Sequence, residues 1–176
     1  MFPIWQTITI LTTIFYLSTQ ASAEKKEISG AVSFLAEASP GFLEIEGSGA
    51  SFKGSLEKAA DGLYRGVFVC DLSQFETGIE LRDNHLKEKY LEVDLYPRAT
   101  LKLEPTKLPP SGGSLKFKGL LTWRGVSKMV EGQVKRQEKL LTATFKVNTL
   151  DFNMPKASYK LVKVGEVVHV TVTFMD

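Results

Sequence analysis

The sequence predicts an all-β domain of antiparallel strands that close into a barrel, with one short helix at an end. Three observations lead to this prediction. Apolar and polar side chains alternate over most of the chain, turns rich in glycine and proline separate the alternating runs, and a single segment has helical periodicity. A barrel is favoured over a sandwich because closure removes the exposed strand edges.

The alternation is clearest in the last third of the chain. From Leu141 to Thr149, leucine, alanine, phenylalanine and valine occupy one face, and threonine, lysine and asparagine occupy the other. The same period of two occurs in Val168–Phe174 and around Leu115–Thr122. Gly47-Ser48-Gly49 is expected to lie between two strands. The shorter runs complete a set of eight or nine predicted strands: Ile28–Ala36, Leu43–Gly47, Phe52–Leu56, Leu63–Leu72, Ala99–Leu103 and Val126–Val134.

The segment from Gly78 to Leu95 departs from the strand pattern. Leu86, Tyr90 and Val93 recur at positions i, i+4 and i+7, as on a short amphipathic helix. The Tyr96-Pro97 pair is expected to stop this helix, because the residue before a proline is biased towards extended geometry. A lone helix in an all-β chain is expected to cap a sheet or to plug one end of a barrel.

The first 23 residues predict a secretory signal peptide. None of the 22 basic or 20 acidic residues precedes Glu24, an apolar stretch covers residues 8–17, and Ala21-Ser22-Ala23 offers a cleavage site. Cleavage after Ala23 leaves one domain, residues 24–176, in a periplasmic or secreted protein. The alternative is an uncleaved N-terminal anchor, although the apolar stretch is shorter than the ~20 residues that a spanning helix needs.

The charge distribution argues against nucleic acid as a partner. Residues 24–80 carry five basic and ten acidic side chains and residues 81–176 carry seventeen and ten, but the net charge of the whole chain is only +2. Many basic residues of the second half alternate with apolar ones, so we expect them on a solvated outer face: Lys116, Lys118, Arg124, Lys128, Lys135 and Arg136.

One side-chain cluster is a candidate for chemistry. His85 and His169 lack a second histidine or cysteine at metal-ligand spacing, so we expect no metal and no cofactor, and His169 should face solvent. The single cysteine, Cys70, is expected to be a small buried apolar group. Asp83 could orient His85 for acid–base catalysis, but a salt-bridge cluster with Arg82 at a helix N-terminus explains the same residues and is preferred.

Two motifs resemble those of the YceI-like family. The first runs from Phe75 to Pro97 and contains Thr77-Gly78, then Arg82-Asp83-Asn84-His85-Leu86, and finally Tyr96-Pro97. The second is the run Gly-Leu-Leu-Thr-Trp-Arg-Gly-Val-Ser-Lys at 119–128, and Asp151-Phe152-Asn153 is similar to a later Asp-Phe-Gly of the family. The resemblance covers about Leu63 to Phe174, whereas the preceding forty residues lack the family's opening Asp-x-x-His-Ser element.

The resemblance implies a lipocalin-like barrel of eight antiparallel strands, without known catalysis, that holds a long isoprenoid chain in an apolar pore. Arg82 and His85 are then expected at the mouth, where a cation can meet an anionic head group. Alternation alone does not distinguish a lined cavity from a packed core. The candidate ligand-binding residues are Phe34, Phe68, Leu86, Tyr90, Leu101, Leu103, Phe117, Leu121, Phe145, Val170 and Phe174.

Three classes of function stay open on the sequence. The preferred one is a carrier or scavenger of a polyisoprenoid, an isoprenoid quinone or a similar lipid in the cell envelope. The second is an envelope enzyme that acts on a lipid ester or phosphate through His85 and Asp83, and the third is a structural or redox-partner module. The expected partner is a lipid ligand, and the sequence leaves peripheral contact with a membrane and a dimeric state open.

Overall fold

The computed structural model describes residues 24–40, 43–159 and 161–176, so the predicted signal peptide lies outside the described residues. Antiparallel strands account for most of the chain. Their bounds are β1 (Glu24–Ser39), β2 (Leu43–Lys58), β3 (Tyr64–Asp71), β4 (Arg98–Thr106), β5 (Ser114–Trp123), β6 (Val126–Gln137), β7 (Leu140–Asn148), β8 (Ser158–Tyr159) and β9 (Val162–Met175).

The strands form a closed barrel, as predicted. Each strand from β1 to β6 pairs antiparallel with the next, β7 pairs with β9, and β9 pairs with β1 to complete a ring of eight. The closing ladder runs from the Gly30–Phe174 pair to the Ser39–Lys163 pair. The two-residue strand β8 pairs with β9 and lies outside the ring.

Glycines that face the lumen are paired directly with phenylalanines on the neighbouring strands. Gly30 of β1 lies between Phe52 of β2 and Phe174 of β9. The two rings that flank this glycine meet edge to face, with their centroids 5.9 Å apart. A Cβ added to Gly30 would lie 2.7 Å from the ring of Phe52, so the glycine provides the space that the ring occupies against the barrel wall.

The same arrangement recurs at Gly132 of β6. This glycine pairs with Phe117 of β5 and Phe145 of β7, whose ring centroids are 6.0 Å apart. Glycine residues inside strands commonly mark such close approaches. Because the rings lie over glycines, they take up less of the lumen than they would over larger residues. Two further pairs follow the same rule, Phe34 with Gly47 and Phe68 with Gly54.

Strand β2 is continuous, so the prediction of two strands over Leu43–Leu56 is wrong. Val32 pairs with Ala50 and Phe34 pairs with Gly47, which leaves Ser48 and Gly49 together opposite Ser33. Gly49 adopts a φ of +87°, as a glycine in a β-bulge does. Ser48 and Gly49 therefore make a bulge rather than a break in the strand. The Ser48 backbone at the bulge exchanges two hydrogen bonds, of 2.9 and 2.8 Å, with that of Glu76.

The helical segment connects β3 to β4 across one end of the barrel, here called the helical end. Helix α1 (Glu80–His85) continues into a π-helical turn (Leu86–Leu91). The expected stop at Tyr96-Pro97 is wrong, because Glu92 already adopts a left-handed backbone (φ 49°) and ends the helix there. The hairpin turns β1–β2 and β5–β6 and the connection from β7 to β9 lie at the same end of the barrel.

Placing a side chain at Gly132 should destabilise the barrel. A Cβ at this position would lie 2.4 Å from the carbonyl oxygen of Thr144 and 2.7 Å from the ring of Phe117. We expect Gly132→Ala to lower the free energy of unfolding by about 2–3 kcal/mol, measured by urea denaturation. The control is Gln133→Ala on the exposed outer face, for which the change should stay within about 0.5 kcal/mol. Equal losses in the two variants would contradict the packing argument.

Candidate functional site

The barrel encloses an apolar cavity of about 570 Å³. Every strand of the ring contributes to its wall, and the helical segment covers part of one end. This volume lies within the range of roughly 300–1,000 Å³ that is usual for small-molecule pockets. The lumen is therefore hollow rather than filled by its side chains.

All of the ligand-binding candidates proposed from the sequence line this cavity, and their contact with a ligand stays a prediction. Four further wall residues were not among the candidates although they lie in predicted strands: Ile28, Val32, Phe52 and Leu56. Period-two alternation within the runs Ile28–Ala36 and Phe52–Leu56 could have identified them. The predicted residues on the wall are Phe34, Phe68, Arg82, His85, Leu86, Tyr90, Leu101, Leu103, Phe117, Leu121, Phe145, Val170 and Phe174.

The mouth of the cavity lies at the helical end. Leu43, Ile79 and Leu81 line the cavity and are 52, 54 and 53% exposed, so the apolar wall continues onto the surface there. Among the residues that the structure describes, the cavity-lining lysine, arginine and acidic side chains also lie at this end: Glu44, Arg82, Lys156 and Glu166. The Lys156 ammonium pairs with the Glu166 carboxylate at 2.6 Å. The deeper wall is thus apolar and the mouth is polar at its edge.

A network of hydrogen bonds fixes the turn that precedes α1. The Asp83 Oδ1 atom accepts hydrogen bonds from the backbone N–H of Thr77 at 2.6 Å and from the Thr77 hydroxyl at 2.5 Å. Arg82 donates from Nε to the Thr77 hydroxyl oxygen at 2.7 Å and from Nη2 to the Thr77 carbonyl oxygen at 2.6 Å. The Thr77 hydroxyl, which donates to the carboxylate, holds the pKa of Asp83 below its ordinary value. Asp83 and Arg82 therefore shape the rim of the mouth.

Arg124 ties the helical segment to the barrel. The prediction that it lies on a solvated outer face is wrong, because its side chain is only 10% exposed. Arg124 and Gly125 form a two-residue hairpin turn with φ angles of 51° and 73°, which is typical of type I′. From this turn the guanidinium group forms an ion pair with Glu92 and lies 4.7 Å from the ring centroid of Tyr96. The other predicted outer-face residues are exposed, except for the half-buried Arg136: Lys116, Lys118, Lys128 and Lys135.

Tyr90 has both an apolar and a polar role at the mouth. Its ring is buried and lines the cavity. Its hydroxyl donates a hydrogen bond to the Ser158 carbonyl oxygen at 3.0 Å and accepts one from the Ser158 N–H at 3.2 Å. The π-helical turn is thereby joined to β8 across the mouth.

Two further features are absent from the residues that the structure describes. In residues 24–40, 43–159 and 161–176 there is no group of three histidine, cysteine or acidic residues that could hold a metal ion. Within the same ranges, no helix has the length and apolar character required to cross a bilayer.

Cys70 lies half-buried on the cavity wall. Burial, together with the nearby Asp71 carboxylate, raises the pKa of its thiol from 9.0 to about 11. The thiol is therefore neutral at physiological pH and forms part of the apolar wall.

The fold and the cavity define an antiparallel barrel of the lipocalin-like class, built around a hollow lumen. The sequence matches the YceI-like domain over residues 22–175, and the chain belongs to the YceI-like family. Comparison with curated proteins gives no match.

Two solved structures show the same fold at low sequence identity. BcnA from Burkholderia cenocepacia has a TM-score of 0.65 and 18% identity, over 84% of this chain and 96% of that one. A polyisoprenoid binding domain from Saccharophagus degradans has a TM-score of 0.63 and 14% identity, over 85% of this chain and 97% of that one.

The thiol of Cys70 should make stability depend on alkaline pH. Its folded pKa is raised, so the stability it contributes is fully present below pH 9.0 and is lost as the pH rises towards 11. Between about pH 8 and about pH 10.5, the wild type should lose about 2 kcal/mol more unfolding free energy than Cys70→Ala, which lacks the thiol. Urea denaturation in the presence of a reductant measures the difference. Parallel pH profiles for the two proteins would contradict the burial of the thiol.

Proposed function

We propose that the protein binds a long apolar ligand, a polyisoprenoid or an isoprenoid quinone, within the barrel and acts as its carrier or scavenger in the cell envelope. The observation that carries the proposal is the distribution of polarity along the cavity. The wall is apolar at depth, and the charged lining residues Glu44, Arg82, Lys156 and Glu166 are confined to the mouth. An isoprenoid with a polar head has the same distribution of polarity, because its tail is apolar and its polar group lies at one end.

The physical basis of affinity is the burial of apolar surface. Each ~100 Å² of ligand surface removed from water contributes about 2.5 kcal/mol before the costs of association are subtracted. Because the cavity is already formed, ligand binding adds little reorganisation cost. The description of the Saccharophagus degradans domain as polyisoprenoid binding supports the same ligand class for this chain.

The arrangement around Asp83 supports binding rather than catalysis. The catalytic alternative assigns Asp83 the orientation of His85, whereas the Asp83 Oδ1 atom accepts two hydrogen bonds from Thr77 that fix the turn before α1. These contacts support a turn-stabilising role for Asp83. We therefore propose a non-catalytic function in which Arg82 and His85 lie beside the head group of the ligand.

The binding proposal is tested by native mass spectrometry of delipidated protein incubated with geranylgeraniol or with a menaquinone. We expect a complex with one ligand per chain. Val170 pairs with both Phe34 and Phe145 in the middle of the lumen, so Val170→Asp should weaken binding by about tenfold or more. Thr171→Asp places the same charge on the outer face and should leave affinity within twofold of the wild type.

A polar substitution of similar shape, Val170→Thr, protects this test against simple misfolding, and its loss of affinity should be smaller. Wild-type protein that stays empty with every prenol and quinone offered would overturn the proposed function. Equal effects of Val170→Asp and Thr171→Asp would place the ligand outside the lumen.

The role of Arg82 is tested with two ligands that share one tail. We expect Arg82→Gln to weaken the binding of geranylgeranyl diphosphate by about fivefold or more while geranylgeraniol stays within twofold, because only the first carries an anionic head. Lys87→Gln on the same helical segment is the matched control and should change neither affinity, since Lys87 does not line the cavity. An equal loss for both ligands would assign Arg82 a purely structural role.

A further inference from the structure

The end of the barrel opposite the mouth is covered by the connection from β4 to β5, residues 107–113, here called the floor loop. Leu108 of this loop lines the cavity and packs against the hydrophobic core. The next residue, Pro109, is among the most completely buried side chains of the described chain. The side chain of Leu108 therefore closes the cavity at the end where the barrel would otherwise open to solvent.

The floor loop is held in place by backbone hydrogen bonds to β6. Gly112 donates to the Arg136 carbonyl oxygen at 2.9 Å, and Arg136 donates back to the Gly113 carbonyl oxygen at 3.0 Å. The Arg136 guanidinium group in turn pairs with the Asp176 carboxylate at 2.7 Å. The ring of Pro109 also restricts its own backbone. These contacts give the floor loop a defined position from which Leu108 projects.

The two ends of the cavity differ in exposure. The wall residues nearest the floor loop are all buried or half-buried: Ile28, Leu56, Leu103, Thr106, Val134 and Phe174. At the mouth, by contrast, Leu43, Ile79 and Leu81 are each more than half exposed. A ligand therefore enters and leaves at the helical end, and the apolar tail must go in first because the charged lining residues lie at the mouth.

We propose that Leu108 is a chain-length stop, against which the far end of the bound tail rests. This inference rests on the proposed function and adds a limit on the length of the tail that the barrel encloses. The cavity of about 570 Å³ ends at Leu108, so it encloses a limited length of tail. Units beyond that length remain at the mouth and add little affinity.

The test is a competition in native mass spectrometry between pairs of linear prenols with three to nine units. For the wild type, affinity should rise with each added unit up to one length and then stay within threefold for all longer prenols. Leu108→Ala removes part of the stop, so the prenol one unit longer than that length should gain about threefold in affinity relative to the wild type. Leu108→Trp should move the plateau to a shorter prenol.

The matched control is Leu43→Ala, which truncates a cavity-lining leucine at the mouth instead of the floor. Its length profile should keep the wild-type plateau. Leu108→Val is a milder truncation that keeps the test usable if Leu108→Ala does not fold, and it should shift the profile in the same direction by a smaller factor. Urea denaturation of each variant establishes that it is folded.

Two results would overturn the chain-length stop while leaving the proposed function intact. One is a wild-type affinity that keeps rising through nine units, and the other is the same length profile in the Leu108 and Leu43 variants. If no prenol of any length binds to the wild type, the proposed function itself is overturned, and the stop falls with it.

Discussion

The hollow barrel depends on the direct pairing of lumen-facing glycines with phenylalanines. Large aromatic side chains supply most of the apolar surface that a barrel needs, but eight strands leave space for only a limited number of them before the interior is full. With Gly30 and Gly132 each flanked by two phenylalanines, the rings lie against the wall and contact each other edge to face. These phenylalanines thus contribute packing energy to the core and still leave room in the lumen for a ligand.

Much of the fold could be predicted because period-two alternation is a local property. Each lumen-facing residue of Leu141–Thr149 is identified by its own neighbours in sequence, and the structure places Phe145 and Val147 on the cavity wall accordingly. Prediction from local sequence failed where the conformation of a segment depends on a strand that is distant in the chain. Ser48 and Gly49 form a bulge instead of a break only because β1 continues opposite them, and that pairing cannot be read from β2 alone.

The same reasoning explains why the site was predicted in part. Arg82, His85 and the aromatic wall residues lie where motif and alternation put them. Arg124 was misassigned because alternation counts positions along a strand, whereas this residue is in a hairpin turn whose left-handed backbone directs the guanidinium group toward Tyr96 and Glu92. The floor loop carries no periodic signal at all, since its position follows from its hydrogen bonds to β6 and from the burial of Pro109.

The ladder between β1 and β9 has a consequence for how the protein folds. Gly30 and Phe174 are neighbours in the barrel but far apart in the chain, so we expect the closing step to come late because it bears the loop-closure entropy. Until β9 is added, the growing sheet has two open edges and no lumen. A ligand that occupies the lumen binds only the closed barrel. By mass action it then stabilises the ladder between β1 and β9, the first and last strands of the ring.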